Sequence, residues 1–194
     1  DSTYTSWVTS VEITNASAYV ALKDGTMKIL DVSGFPTVVE KSDYSFTGEL
    51  YNLKWWKQYL FGTYQNKVPF FNVISPYSPN FIGNYNYGGS WEIQDLEFQG
   101  SNMYLLTTDT FEIADFSNPS DPPPSVSLSI PYAGNMRVFA VEHSYAYASA
   151  YNQNPVVISI YPPDSPSVYG EPFGDWSQQY ITNIAVHEDL LYLM

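Results

Sequence analysis

The chain has 194 residues, a mass of 22.0 kDa and 44% apolar side chains, enough for one sizeable packed domain. Seven basic side chains stand against 20 acidic ones, a net charge of −13. That balance leaves no basic stripe to neutralise nucleic-acid phosphates or to hold an anionic lipid surface. No apolar run of about 18 residues exists to insert into a bilayer, and Cys 0 removes disulfide and thiolate chemistry.

Aromatic residues make up 18%, led by 18 tyrosines, and 11 Gly with 14 Pro supply turns. This mixture of β-formers and turn-formers predicts an all-β chain of many short strands. Few lysines with abundant Tyr, Asn, Ser and Thr point to an extracellular or cell-surface setting.

In chain order, Asp1 to Trp7 alternates like an outer strand, so residues 1–10 are assigned to a preceding or closing blade. A four-part unit then recurs. Its first run is Val11-Glu12-Ile13, Leu53-Lys54-Trp55, Leu96-Glu97-Phe98, Phe139-Ala140-Val141 and Ile184-Ala185-Val186. After a short polar turn, the second run is centred on Tyr19, Leu60, Tyr104, Tyr147 and Tyr192, spaced 41, 44, 43 and 45 residues apart. A third run ends at Asp31, Asn72, Asp115 and Ser159, each followed by an apolar residue. Pro-rich loops follow, which must leave the sheet because proline cannot donate to a ladder. A fourth run closes each unit: Thr37 to Tyr44, Asn80 to Tyr85, Ser125 to Ile130 and Ser167 to Gly170.

Four short strands in about 43 residues is the period of a β-propeller blade, whose sheet buries its faces only by stacking on neighbours. The predicted blades are residues 11–48, 49–89, 90–134 and 135–176, with 177–194 beginning a fifth, all within one propeller domain. A propeller closes with 4–8 blades, so the expectation is an incomplete ring whose remaining blades lie outside this stretch.

Within the first unit, "AYVAL" and "GTMKILDVS" followed by Pro36 resemble the LVIVD repeat of bacterial, archaeal and ciliate surface proteins; "FEIADFSNP" at Phe111 to Pro119 is similar. The resemblance implies a β-propeller and a surface-protein context. Departures are Asn72 and Ser159 in place of Asp, and Pro69, which is expected to interrupt its strand.

Several constellations could carry chemistry. His143 and His187 fall in equivalent turns with Glu142, Glu188 and Asp189 nearby, but zinc would need a third converging ligand. Glu92, Asp95 and Glu97 precede or enter a first strand; Asp95 and Glu97 share a face, as a glycosidase carboxylate pair would. Their repeat equivalents are not acidic clusters and no second converging pair is identifiable, so no catalytic, cofactor or metal residue is assigned. Asp31, Asn72, Asp115 and Ser159 read as turn residues that bond local backbone. Tyr19, Tyr104, Tyr147 and Tyr192 read as packing between blades. Asn15-Ala16-Ser17 is an acceptable N-glycosylation sequon, whereas Pro119 disqualifies Asn118. All six lysines lie before residue 68, leaving Arg137 alone against 13 acids in the remainder, a segregation suited to complementary contacts in an assembly.

The function expected from these features is a non-enzymatic structural, adhesion or assembly module of a larger surface protein, with self-assembly or a larger complex as partner. The alternatives are a carbohydrate-binding or glycoside-hydrolase-like propeller, and an intracellular protein-interaction hub.

Overall fold

The computed structural model describes residues 6–90, 92–130, 136–150, 154–170, 181–187 and 190–194. They form two compact units, Asp1–Asn86 and Tyr87–Met194. The first unit holds two four-stranded antiparallel sheets. One is β1 (Val8–Thr14), β2 (Ser17–Leu22), β3 (Thr26–Asp31) and β4 (Val39–Ser45); the other is β5 (Tyr51–Trp56), β6 (Tyr59–Thr63), β7 (Lys67–Asn72) and β8 (Asn80–Asn86). The second unit holds β9 (Ile93–Gln99), β10 (Asn102–Thr107), β11 (Thr110–Asp115) and β12 (Val126–Ser129). Its next sheet is β13 (Met136–Glu142), β14 (Tyr145–Ala150), β15 (Val156–Ser159) and β16 (Ser167–Gly170), and a two-stranded sheet, β17 (Ile184–His187) with β18 (Leu190–Leu193), follows. In every four-stranded sheet the spatial order is the sequence order.

Burial follows from that order. Second strands are covered on both faces, as in β10, where five consecutive residues from Met103 to Thr107 are buried. Fourth strands such as β4 and β16 alternate between exposed and half-buried, as expected at a sheet's outer edge. In the first unit Tyr19, Met27 and Ile29 pack against Leu53, Leu60 and Phe71; in the second, Phe111 and Ile113 pack against Phe139, Ala148 and Ile158. First strands of neighbouring sheets run side by side, β1 with β5, β9 with β13 and β13 with β17, and so form the inner edge.

Two expectations change. The first strand begins at Val8, which pairs with Leu22, so residues 8–10 belong to the first blade and not to a preceding one. Residues 1–5 of that assignment lie outside the described residues. Pro69 does not interrupt β7, because it keeps its place opposite Asn84 of β8. Its missing N–H is felt on the other side, where pairing with β6 stops at Phe61 and Phe70 and resumes only at a Tyr64–Lys67 bridge.

Candidate functional site

The first strands carry a recurring device. In the four-stranded sheets each has an extra residue near its start: Thr9 in β1, Gln94 in β9 and Arg137 in β13, with the β5 shift falling between Tyr51 and Lys54. Such a bulge re-aims the side chain that follows it. In β1 that side chain is Ser10, whose Oγ accepts the Leu53 N–H of β5 at 2.9 Å. In β9 it is Asp95, whose Oδ2 accepts the Phe139 N–H of β13 at 3.2 Å while Oδ1 accepts its own Leu96 N–H at 2.9 Å. Glu12 adds a second bond to β5, its Oε1 accepting Trp55 N–H at 2.9 Å. The reason is general: an inner-edge strand presents N–H groups with no strand beyond it, and these need acceptors.

The strand-end positions behave similarly. Asp31 Oδ1 accepts the Ser33 N–H at 2.9 Å, Asn72 Oδ1 accepts the Ile74 N–H at 2.9 Å and Asp115 Oδ1 accepts the Ser117 N–H at 2.7 Å. The Ser33 hydroxyl, its backbone N–H and nearby Lys41 hold the Asp31 carboxyl down at about 2. Ser159 differs, its hydroxyl reaching toward the Tyr161 carbonyl at 3.5 Å; serine makes such turns more weakly than Asp or Asn.

The tyrosine positions divide. Tyr19 is fully buried and donates its hydroxyl to the Pro76 carbonyl at 3.3 Å; burial and Tyr77 push its phenol up to about 12. Tyr104 is buried against Phe111 at 5.9 Å between centroids, and burial raises its phenol too. Tyr147 is half-buried, whereas Tyr192 is 46% exposed among the described residues.

His143 occupies the first hairpin turn of its sheet with φ 53°, matching Asn15 (52°), Lys57 (55°) and Gly100 (64°) in the other three. Its exposed ring lies 3.4 Å from Glu142 Oε1. Glu188 and Asp189 lie outside the described residues, and among the described residues no group of three potential metal ligands converges. Glu92 is exposed and Glu97 half-buried. Asp95 is thus tied to β13 and Glu12 to β5 through backbone N–H groups.

Sequence reasoning did not single out Trp55, Lys57, Gln58 or Tyr77 as a group. The β1–β2 turn, the β5–β6 turn and the loop after β7 enclose a cleft of 280 Å³ lined by Asn15, Tyr19, Trp55, Lys57, Gln58 and Tyr77. Trp55 is 40% and Tyr77 36% exposed, so two aromatic side chains remain available. Lys57 Nζ lies 4.0 Å from the Trp56 ring centroid and Lys41 Nζ 5.6 Å from that of Tyr77. Aromatic surfaces beside amide and ammonium donors can bind a ligand with an apolar face and hydroxyl edges. A turn carrying both Trp55-Trp56 and Lys57 was the available sequence signal.

No family model and no curated protein matches the chain. Solved structures do resemble it. The crystal structure of the computationally designed Ika8 protein aligns with TM-score 0.76 at 14% identity over 99% of this chain. The designed Ika4 protein aligns with TM-score 0.62 at 13% identity, over 81% of this chain and 94% of its own. A chain of the mitotic checkpoint complex aligns with TM-score 0.69 at 14% identity over 95% of this chain. The chain spans 56% of the length of the Ika8 chain and 55% of the checkpoint chain. At such identities the likeness concerns the fold alone, a β-propeller of four-stranded blades.

Proposed function

We propose that the chain is a structural module, a scaffold, adhesion or assembly unit of a larger extracellular or cell-surface protein, with the LVIVD-like repeat as its building block. The observation that carries this reading is the use made of the recurring polar positions. Ser10 and Asp95 bind the backbone of the next first strand, and Asp31, Asn72 and Asp115 bind their own loops. Repeated chemistry of this kind builds and joins blades. Apolar side chains left exposed on β1, with Val11 at 49% and Ile13 at 64%, supply surface for contacts beyond those within the unit. No helix among the described residues is long and apolar enough to cross a membrane.

Imaging the full native protein by cryo-electron microscopy, without dissociating it first, tests the proposal. A repeating filament or lattice with extensive subunit contacts is the expected result. A free closed monomer with an occupied central pocket refutes it. A second reading, a saccharide-binding propeller, draws its support from the Trp55–Tyr77 cleft.

A further inference from the structure

We propose that Asn15 carries an N-linked glycan whose first sugar ring packs into the adjoining cleft against Trp55 and Tyr77. The inference rests on the extracellular reading above, since the modification needs a secretory route.

Two independent observations meet at this point. Asn15-Ala16-Ser17 satisfies the acceptor pattern, and Asn15 is exposed on a tight turn that lines a cleft together with Trp55 and Tyr77. Trp55 and Tyr77 offer aromatic surface for the C–H side of a pyranose, and the Gln58 amide in the same lining is a group that can hydrogen-bond its hydroxyl and acetamide oxygens. Tethering raises the local concentration of the sugar, so packing needs little intrinsic affinity.

The order of events also follows from the structure. Ser17 is 4% exposed in the folded sheet, so its hydroxyl is within reach of a transferase only before β2 pairs. Modification precedes folding, and the sugar settles into the cleft as the first two blades assemble. In the transfer, Asn15 Nδ2 forms a bond to C1 of a lipid-diphosphate-linked oligosaccharide. The C1–O bond to the diphosphate breaks, the lipid diphosphate leaves with the bonding electron pair, and Nδ2 gives up one proton to the transferase's base.

The test uses the full protein from its native source and the same protein secreted from a eukaryotic host. Peptide mass analysis of the native protein is expected to find a hexosamine-based glycan on Asn15, and Ser17→Ala is expected to abolish it with the fold retained. On the secreted protein, amidase release of the glycan under native conditions is expected to run about fivefold or more faster in Trp55→Ala than in wild type, the scale of one lost aromatic contact. Nuclear Overhauser contacts from the first sugar to the Trp55 indole give a second readout, insensitive to small changes in folding.

A bare Asn15 in native material overturns the proposal. So does a glycan released equally fast from both proteins, which would be a surface sugar with no cleft contact. If Asn15 is bare and chitobiose added to the Ser17→Ala protein contacts Trp55, the cleft takes its saccharide from solution and the tethered form is wrong. Each of these results leaves a repeating lattice of subunits intact as evidence for the module, so the two proposals fail separately.

Discussion

Replacing Asp95 by alanine removes acceptors from two backbone N–H groups, that of Leu96 and that of Phe139 on the neighbouring first strand. A hydrogen bond to a charged acceptor contributes about 1.5–3 kcal/mol. Asp95 is only half-buried, so water can replace part of what is lost, and about 2 kcal/mol is the expected destabilisation for the pair. With a urea m-value of about 3 kcal/mol/M, the upper end for small proteins, the midpoint should fall by about 0.7 M. Asp95→Asn keeps one acceptor oxygen and should lose roughly half as much. Asp115→Ala, which removes only local exposed turn bonds, those from the Ser117 N–H and hydroxyl, is the comparison and should cost about 0.5–1 kcal/mol. Urea unfolding at pH 7 followed by both tryptophan fluorescence and far-UV circular dichroism provides the measurement, with coincident transitions as the condition for using it. If Asp95→Ala stays within about 0.5 kcal/mol of wild type, in the range of an ordinary surface substitution, the cross-strand bond does not join the blades.

The other predictions concern the turn, the core and two titrations. Gly25 has φ +84°, and a Cβ there would lie 2.4 Å from the Phe46 carbonyl oxygen, so Gly25→Ala should cost more than about 3 kcal/mol by the same unfolding assay. Gly100, at φ +64° with open space around it, should lose only about 1–2 kcal/mol on the same change. Phe71→Ala in the first-unit core should cost about 3–5 kcal/mol, and a near-neutral result would mean that Phe71 is not packed as described. Asp31 has a folded value of about 2 against an ordinary 3.8, so its stabilising contribution is present above pH 4 and lost as pH falls toward 2. Asp31→Asn should flatten that part of the acid-unfolding curve. Tyr19 has the opposite sign: with its phenol raised from 10.0 to about 12, its contribution is complete below pH 10 and lost as pH climbs through 12. Absorbance titration at 295 nm should show one fewer tyrosine ionising near pH 10 in wild type than in the unfolded chain, beyond those of other buried phenols.

How far the fold could be read in advance depended on where the information lay. The strand pattern was legible because Tyr19, Leu60 and Tyr104 repeat at a fixed spacing, and their burial requires neighbouring sheets to stack. Asp31, Asn72 and Asp115 were legible for a local reason, since an acceptor two residues before an N–H in a turn needs no knowledge of the rest of the chain. Pro69 was misjudged because a proline's effect on a strand depends on which neighbour faces its nitrogen. That is a property of pairing, and local sequence does not contain it. The Trp55–Tyr77 cleft escaped for the same reason: its lining comes from three turns of two sheets, brought together only by stacking. The left-handed turn at Lys57 was hidden too, because lysine, unlike Gly100 or Asn15 at the equivalent position, does not announce a positive φ by its identity.

Asp95 shows why repetition is a better guide to chemistry than residue type. As a single carboxylate beside Glu97 it suggests acid–base catalysis. Its equivalent two blades earlier, Ser10, performs the same service for Leu53 N–H that Asp95 performs for Phe139 N–H. A glycosidase site requires a carboxyl group at each of two positions, because the proton transfer and the attack both depend on it. A backbone N–H at an unpaired edge requires only an oxygen with a free lone pair, and serine, aspartate and glutamate all provide one. Chemical variety at a structurally constant position therefore identifies the demand as hydrogen-bond acceptance. Glu12, which reaches Trp55 N–H from two residues further along β1, meets the same demand from a different position. The inner edges of β5 and β13 are held by whichever oxygen the preceding first strand aims at them.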